Sequence, residues 1–218
     1  MTFKPKIVPL GDAALLVQLG DEINVEINHR VQTLAALIDS APLDGVIETV
    51  PAYSTLLIHY DPLVLTDSQI RTWVRTKLVH MDETESRKPR QIEVPLRYGG
   101  EYGPDLESVA AYHGLHPEDV IRIHSEKPYV IYMMGFTPGF PYMGKLHDAI
   151  ATPRLETPRK HVPAGTVAIA GSQTGIYPVD SPGGWRLIGW TSLQLFDPKS
   201  EPPFLFSPGD EVRFVVEY

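Results

Sequence analysis

Fifteen of the fifty residues from Gly135 to Gly184 are glycine or proline, eight of one and seven of the other. Proline lacks the amide donor and glycine costs backbone entropy, so this stretch cannot be long helix. Nor does it read as a flexible linker. Phe136, Phe140, Tyr142, Ile169, Tyr177, Trp185, Ile188 and Trp190 in and just after it are worth burying. Short strands joined by shaped loops satisfy both facts, and shaped loops are where binding sites are usually built.

Charge points to the same place. The chain carries a net −8, yet residues 135–190 hold Lys145, Arg154, Arg159, Lys160 and Arg186 against Asp148, Glu156 and Asp180. A locally basic loop surface on an acidic protein fits a small anion, a carboxylate or phosphate. It equally fits solvated charge balancing acidic neighbours. The acidic total argues against general nucleic-acid binding. Cysteine is absent, which removes disulfides, thiolate metal sites and a cysteine nucleophile. No leader-like apolar run follows Lys4 and Lys6, and no long apolar window spans a membrane. The expectation is a cytoplasmic protein.

Two pattern blocks flank a polar stretch. Residues 1–86 predict a small α+β domain. Ala13–Leu19 reads as a strand; Asn24 caps a helix whose Ile27, Val31, Leu34 and Ile38 share one face. Val46–Val50 and Thr55–Tyr60 read as strands, and Thr66 with Gln69 makes a capping box before the second helix. The order strand, helix, strand, strand, helix predicts a ferredoxin-like unit whose last strand is missing or comes from after residue 90. Residues 82–91 are almost wholly polar, placing a linker at about 87–91. Residues 92–218 then predict a mainly-β barrel. Ile92–Leu96, Tyr129–Met134, Leu193–Phe196 and Val212–Val216 read as strands; Asp105 caps one short helix, Gly114 ends it, and Pro117 opens another.

No phosphate-binding GxxxxGK[ST], GxGxxG, HExxH or GxSxG motif in its proper context occurs. The Gly171–Gly175 phrase admits three readings: a Ser172 nucleophile, an anion cradle of Ser172, Gln173 and Thr174, or a plain turn. Thr-Pro-Arg occurs twice, ending at Arg154 and at Arg159. The fork of an arginine suits bidentate anion binding, and proline limits where each can point; two exposed loop arginines are the alternative. His124 on the second short helix reads either as an acid/base or as a hydrogen-bonded structural histidine. The eight histidines show no metal spacing, so no metal is expected. Phe136, Phe140, Tyr142, Tyr177 and Trp185 line a pocket or, for the most part, fill a barrel core.

The runs Gly135–Gly144, Pro153-Arg154, Pro158-Arg159, Val162–Gly171, Gln173–Pro178 and Ser181–Trp185, with Tyr98-Gly99-Gly100 and Gly103–Leu106, closely resemble the family called allophanate hydrolase subunit 1. The resemblance implies a cyclophilin-like C-terminal barrel after the ferredoxin-like domain. It implies the B component of an ATP-dependent 5-oxoprolinase, inactive alone, that opens 5-oxoproline to L-glutamate as a hetero-oligomer with subunits C and A. ATP would be shared with the partner. The family also contains Kip-type inhibitors of a sporulation histidine kinase and resembles half of a urea carboxylase carboxyltransferase domain, and these are the alternatives. Substrate- or anion-binding candidates are His124, Arg154, Arg159, Lys160, Ser172, Gln173, Thr174, Tyr177 and Trp185; the catalytic residues stay unassigned.

Overall fold

A computed structural model of the chain describes residues 3–81 and 89–217. Residues 82–88, and so the first two positions of the expected linker at 87–91, lie outside them, while Gln91 at its far end already opens a strand. The chain divides into two compact units, one running to Lys88 and one starting at Pro89.

The first unit contains β1 (Lys6–Pro9), β2 (Ala14–Gln18), α1 (Val25–Ser40), β3 (Val46–Pro51), β4 (Thr55–Tyr60) and α2 (Asp67–Met81). Its sheet is antiparallel, in the order β1-β2-β4-β3. The strand beside β2 therefore comes from before it and not from after residue 90. Sequence patterning missed β1 because it is four residues long, mostly exposed and ends in proline, which an edge strand tolerates. The caps form as their chemistry dictates. Asn24 Oδ1 accepts from the Glu26 and Ile27 amides at 2.8 and 3.3 Å. Thr66 and Gln69 bond reciprocally, at 2.9 and 3.3 Å. Val31, Leu34 and Ile38 of α1 and Ile70 and Val74 of α2 then bury against Leu15, Val17, Leu56 and Ile58 of the sheet.

The second unit holds β5 (Gln91–Tyr98), α3 (Leu106–His113), α4 (Pro117–Ser125), β6 (Tyr129–Met134), β7 (Pro141–Gly144), β8 (Arg159–Val162), β9 (Thr166–Ala170), β10 (Gln173–Ile176), β11 (Ser181–Gly183), β12 (Arg186–Trp190) and β13 (Glu211–Val216). Seven strands close a barrel in the order β10-β7-β6-β13-β5-β12-β9, while β8 and β11 pair separately. The protein is thus mainly β, with four α-helices among the described residues. All barrel neighbours are antiparallel except β13 and β5, which run parallel from Glu211↔Gln91 to Val216↔Leu96. Val94, Leu96, Ile131, Met143, Val167, Ile169, Ile188 and Phe214 fill the interior with Val109 of α3 and Val120 of α4. Burying each such side chain stabilises by roughly 1.5–3 kcal/mol. The expected strand at Leu193–Phe196 does not form; only an isolated bridge joins Phe196 to Phe204. Pro198 follows that stretch, and Pro202 and Pro203 immediately precede its bridge partner Phe204, where they withhold ladder donors. Among the described residues no helix is long and apolar enough to cross a membrane.

Candidate functional site

The barrel has two apolar layers, and strand alternation separates them. In β7 Met143 faces the interior cluster; in β9 so do Val167 and Ile169; in β12 so does Ile188. The alternate residues Tyr142, Ala168, Ala170 and Leu187 form a second cluster with Phe140, Val162, Tyr177 and Trp185. This second layer lies on the outer face of the barrel. Two alanines in β9 leave room above the strands for large rings. Gly/Pro-rich loops supply those rings, which is why so apolar a segment is also so irregular.

Phe140 is the hub. Its ring meets Tyr177 at 5.2 Å and 81° and Trp185 at 5.5 Å and 87°, both edge to face. Tyr142 lies 4.8 Å from Phe140 and 5.8 Å from Trp185. Phe136 stands edge-on to Phe140 and Tyr177 but is 61% exposed, at φ 64°. Left-handed backbone at an aromatic residue is strained and persists only where its surroundings enforce it. Here the loop does so through Gly135 N–H to Phe140 O (3.1 Å), Thr137 N–H to Gly135 O (2.8 Å) and Phe140 N–H to Thr137 O (3.1 Å).

Arginines border this aromatic layer. Arg154 is exposed, its guanidinium carbon 5.8 Å from the Trp185 ring centre. Its loop is fixed by Leu155 N–H to Gly184 O (2.8 Å) and by Arg186 Nε–H to Pro153 O (3.2 Å). Arg159 lies on β8 and is half-buried. Its Nη2 meets Asp105 Oδ1 at 2.7 Å, while its Nη1 is buried with no hydrogen-bond partner. Burial pushes the Tyr177 phenol up; the Trp185 backbone N–H and the fields of Arg154 and Arg159 oppose that rise. Both guanidinium groups therefore act on the same phenol.

Thr137 Oγ1 and Ser181 Oγ are likewise buried without a partner. Thr137 sits in the Phe136 loop; Ser181 is on β11, whose Gly183 pairs with Arg159. Such orphaned atoms are rare. Tyr129 Oη is a further one, in the interior cluster, but Thr137, Arg159 and Ser181 lie on three segments around the outer aromatic layer and concentrate open hydrogen-bonding capacity there.

The sequence candidates separate into groups. Arg154, Arg159, Tyr177 and Trp185 come together here. Lys160 follows Arg159 on β8 and is exposed. Ser172 is in the β9–β10 turn and Gln173 opens β10, beside Gly144; neither belongs to the aromatic layer. Thr174 and His124 are inside the barrel. His124 is fully buried, stacked on Phe214 at 4.6 Å and 27°, and burial lowers its pKa to about 3. It is a neutral structural histidine with no charge to offer an anion and no exposed atom, whereas the Arg159 side chain, though its Nη1 is covered, is 31% exposed. Sequence reading missed Asp105 as a site residue: it casts Asp105 as a cap, yet Asp105 makes no side-chain cap bond to α3. Nothing in the spacing signals a partner 54 positions away. Among the described residues no three His, Asp or Glu side chains are placed to hold a metal.

The outer face of the closed barrel thus brings an aromatic layer and two arginines together. The chain belongs to the carboxyltransferase-domain family, subdomains C and D, whose pattern matches residues 5–206. It is 44% identical to the B subunit of 5-oxoprolinase from Bacillus subtilis (strain 168), covering 99% of this chain and 94% of that one. The conserved uncharacterized protein PH0987 of Pyrococcus horikoshii is 49% identical, covering 97% of each chain, with a TM-score of 0.58. The protein TTHA0988 superimposes with a TM-score of 0.84 at 38% identity, covering 94% of this chain and 40% of that one.

Proposed function

We propose that this chain is the B subunit of an ATP-dependent 5-oxoprolinase, converting 5-oxoproline to L-glutamate with partner subunits C and A. The observation that carries the reading is the 44% identity, along almost the whole chain, with a 5-oxoprolinase B subunit. That TTHA0988 is more than twice as long as the stretch it shares with this chain supports a companion domain. The barrel is taken as cyclophilin-like, and the two units as residues 1–86 and 92–218.

The outer aromatic layer is the part of the chain that meets substrate or partner. Arg159 Nη1 and the Arg154 guanidinium fit an anionic oxygen, whether of a carboxylate or of a phosphate. ATP, held jointly with the partner, would supply the phosphoryl group that activates the lactam oxygen, leaving ADP; water adding at the activated carbon would then open the ring and release phosphate. The chain's own residues do the rest of the work assigned to this side. Arg159 and Arg154 fix the anion, and the Tyr142, Tyr177 and Trp185 rings exclude water from it. Fixed cations act most strongly where water is excluded. Among the described residues the open hydroxyls on this face, those of Thr137 and Ser181, are paired with no general base, which supports reading the chain alone as inert.

The deciding experiment is co-purification with subunits C and A, followed by 5-oxoproline-dependent phosphate release. Release by the complex and by no single component is expected. Turnover by this chain alone would overturn the division of labour; an assembled but inactive complex would overturn the assignment.

A further inference from the structure

We propose that Asp105 is the positioning residue of the arginine site: it grips one nitrogen of Arg159 and thereby presents the other to a ligand's anionic oxygen. This rests on reading the arginine pair as the anion site, and not on the identity of the reaction.

Asp105 stands at the cap position of α3, where an aspartate ordinarily accepts from the first-turn amides. Its carboxylate makes no such bond. Oδ1 accepts from Arg159 Nη2 and Oδ2 from the Leu187 amide, each at 2.7 Å. The Asp105 amide in turn donates to Leu187 O at 2.9 Å. These two bonds to the Leu187 backbone staple Asp105 to β12, and its side chain is only 10% exposed. The forgone cap bond is a local rule broken in favour of a contact 54 positions away.

The geometry of the pair is one-sided. An arginine and a carboxylate commonly meet through two parallel bonds. Here Oδ2 is already engaged by Leu187, so Asp105 offers Arg159 a single oxygen. Arg159 consequently keeps Nη1 buried and unpaired. A guanidinium held at one end is oriented by the protein and has one end to give. The neighbouring cation of Arg154 and the open hydroxyls of Thr137 and Ser181 add to the same anion-accepting character. The ligand class is a small carboxylate or phosphoryl group with one oxygen reaching Nη1.

The test compares Asp105→Asn and Arg159→Ala in the assembled complex, with 5-oxoproline as substrate. Asp105→Asn keeps the shape and can still accept from Leu187, but it loses the charge that orients Arg159. Its KM for 5-oxoproline is expected to rise at least tenfold, with kcat changed less than threefold and assembly intact. In the labelled single chain, the Arg159 Nη–H proton signals, resolved in the wild type by hindered rotation, are expected to merge in Asp105→Asn. If the Asn variant fails to fold, Asp105→Glu retains the charge but moves the carboxylate by one methylene, and it too is expected to raise KM. Unchanged KM in the Asp105 variants beside a raised KM in Arg159→Ala overturns the positioning role and leaves the arginine site standing. Unchanged KM in all of them overturns both.

Discussion

His124 Nε2 and Thr174 Oγ1 lie 2.9 Å apart inside the barrel, joining α4 to β10. The Thr174 hydroxyl donates onward to Ala168 O at 3.2 Å, so its oxygen accepts the His124 Nε2 proton. Tyr98 Oη, 2.7 Å from Nδ1, then donates to the ring; burial holds that phenol protonated. The network is complete only with a neutral histidine. An unfolded histidine titrates near 6.5 and the folded one near 3, so between these values the unfolded state binds the extra proton. Stability contributed by His124 is present above about pH 6.5 and falls as pH drops. Urea melts should show a His124 share of about 2 kcal/mol lost between pH 7.5 and 5. His124→Gln should lower stability by about 1–3 kcal/mol at pH 7.5 and remove that share of the slope. An unaltered pH slope in the variant would refute the assignment.

Arg154→Ala and Arg159→Ala should each lower reconstituted 5-oxoprolinase activity at least tenfold, a loss of about 1.4 kcal/mol. Their stability effects should differ. Arg154 is exposed and should leave the melting temperature within error. Arg159→Ala leaves the Asp105 carboxylate without its cation and should cost about 1–3 kcal/mol. Lysine should rescue neither fully, since a point charge does not reproduce a fork. Steady-state kinetics beside thermal melts decide it; wild-type rates in both alanine variants would reduce the pair to surface charge.

Phe136→Gly separates folding from assembly. Glycine adopts the positive φ freely but loses more entropy on ordering, and the two effects nearly cancel, leaving stability within about 1 kcal/mol of wild type. The exposed ring, however, is gone. Sedimentation of the variant with its partners should show at least tenfold weaker assembly or, if the ring serves substrate, a matching rise in KM. A variant indistinguishable from wild type in both measurements would show the strained loop to be idle.

Gly183 and Gly184 make a matched pair. A Cβ on Gly183 would lie 2.2 Å from the Tyr177 phenol oxygen, and Tyr177 is boxed in by Phe140 and unable to yield. Gly183→Ala should therefore cost about 1–3 kcal/mol and shift Tyr177 emission. A Cβ on Gly184 meets nothing closer than 3.6 Å, so Gly184→Ala should fall within about 0.5 kcal/mol of wild type. Equal losses in both variants would contradict the packing described.

Local chemistry was legible in the chain, and long-range pairing was not. The Asn24 cap, the Thr66–Gln69 box and the Gly114 terminus follow from two or three neighbouring residues, and all form. Tyr129–Met134 and Thr55–Tyr60 follow from apolar and β-branched content. Four-residue strands such as β1 and β8 have too few positions to show alternation. The outer aromatic layer could be anticipated as a set of residues but not as a second layer, because its members belong to several segments that only the barrel brings together. The same holds for Arg159: its proline-fixed phrase was visible, its carboxylate was not.

The parallel ladder of β13 on β5 joins residues 120 positions apart, whereas every pairing of the first sheet lies within residues 6–60. The two units therefore become foldable at different times during synthesis. The first sheet can assemble from local contacts while the rest of the chain is still being made; the ring cannot close until residues 211–216 emerge. Long-range closure is slow. Until it happens, the flanks of β5 and β6 reserved for β13 are both raw edges, each a template for another chain. Overproduction at high temperature should thus fail by aggregation of the second unit, and the vulnerable interval is set by the arrival of its last strand.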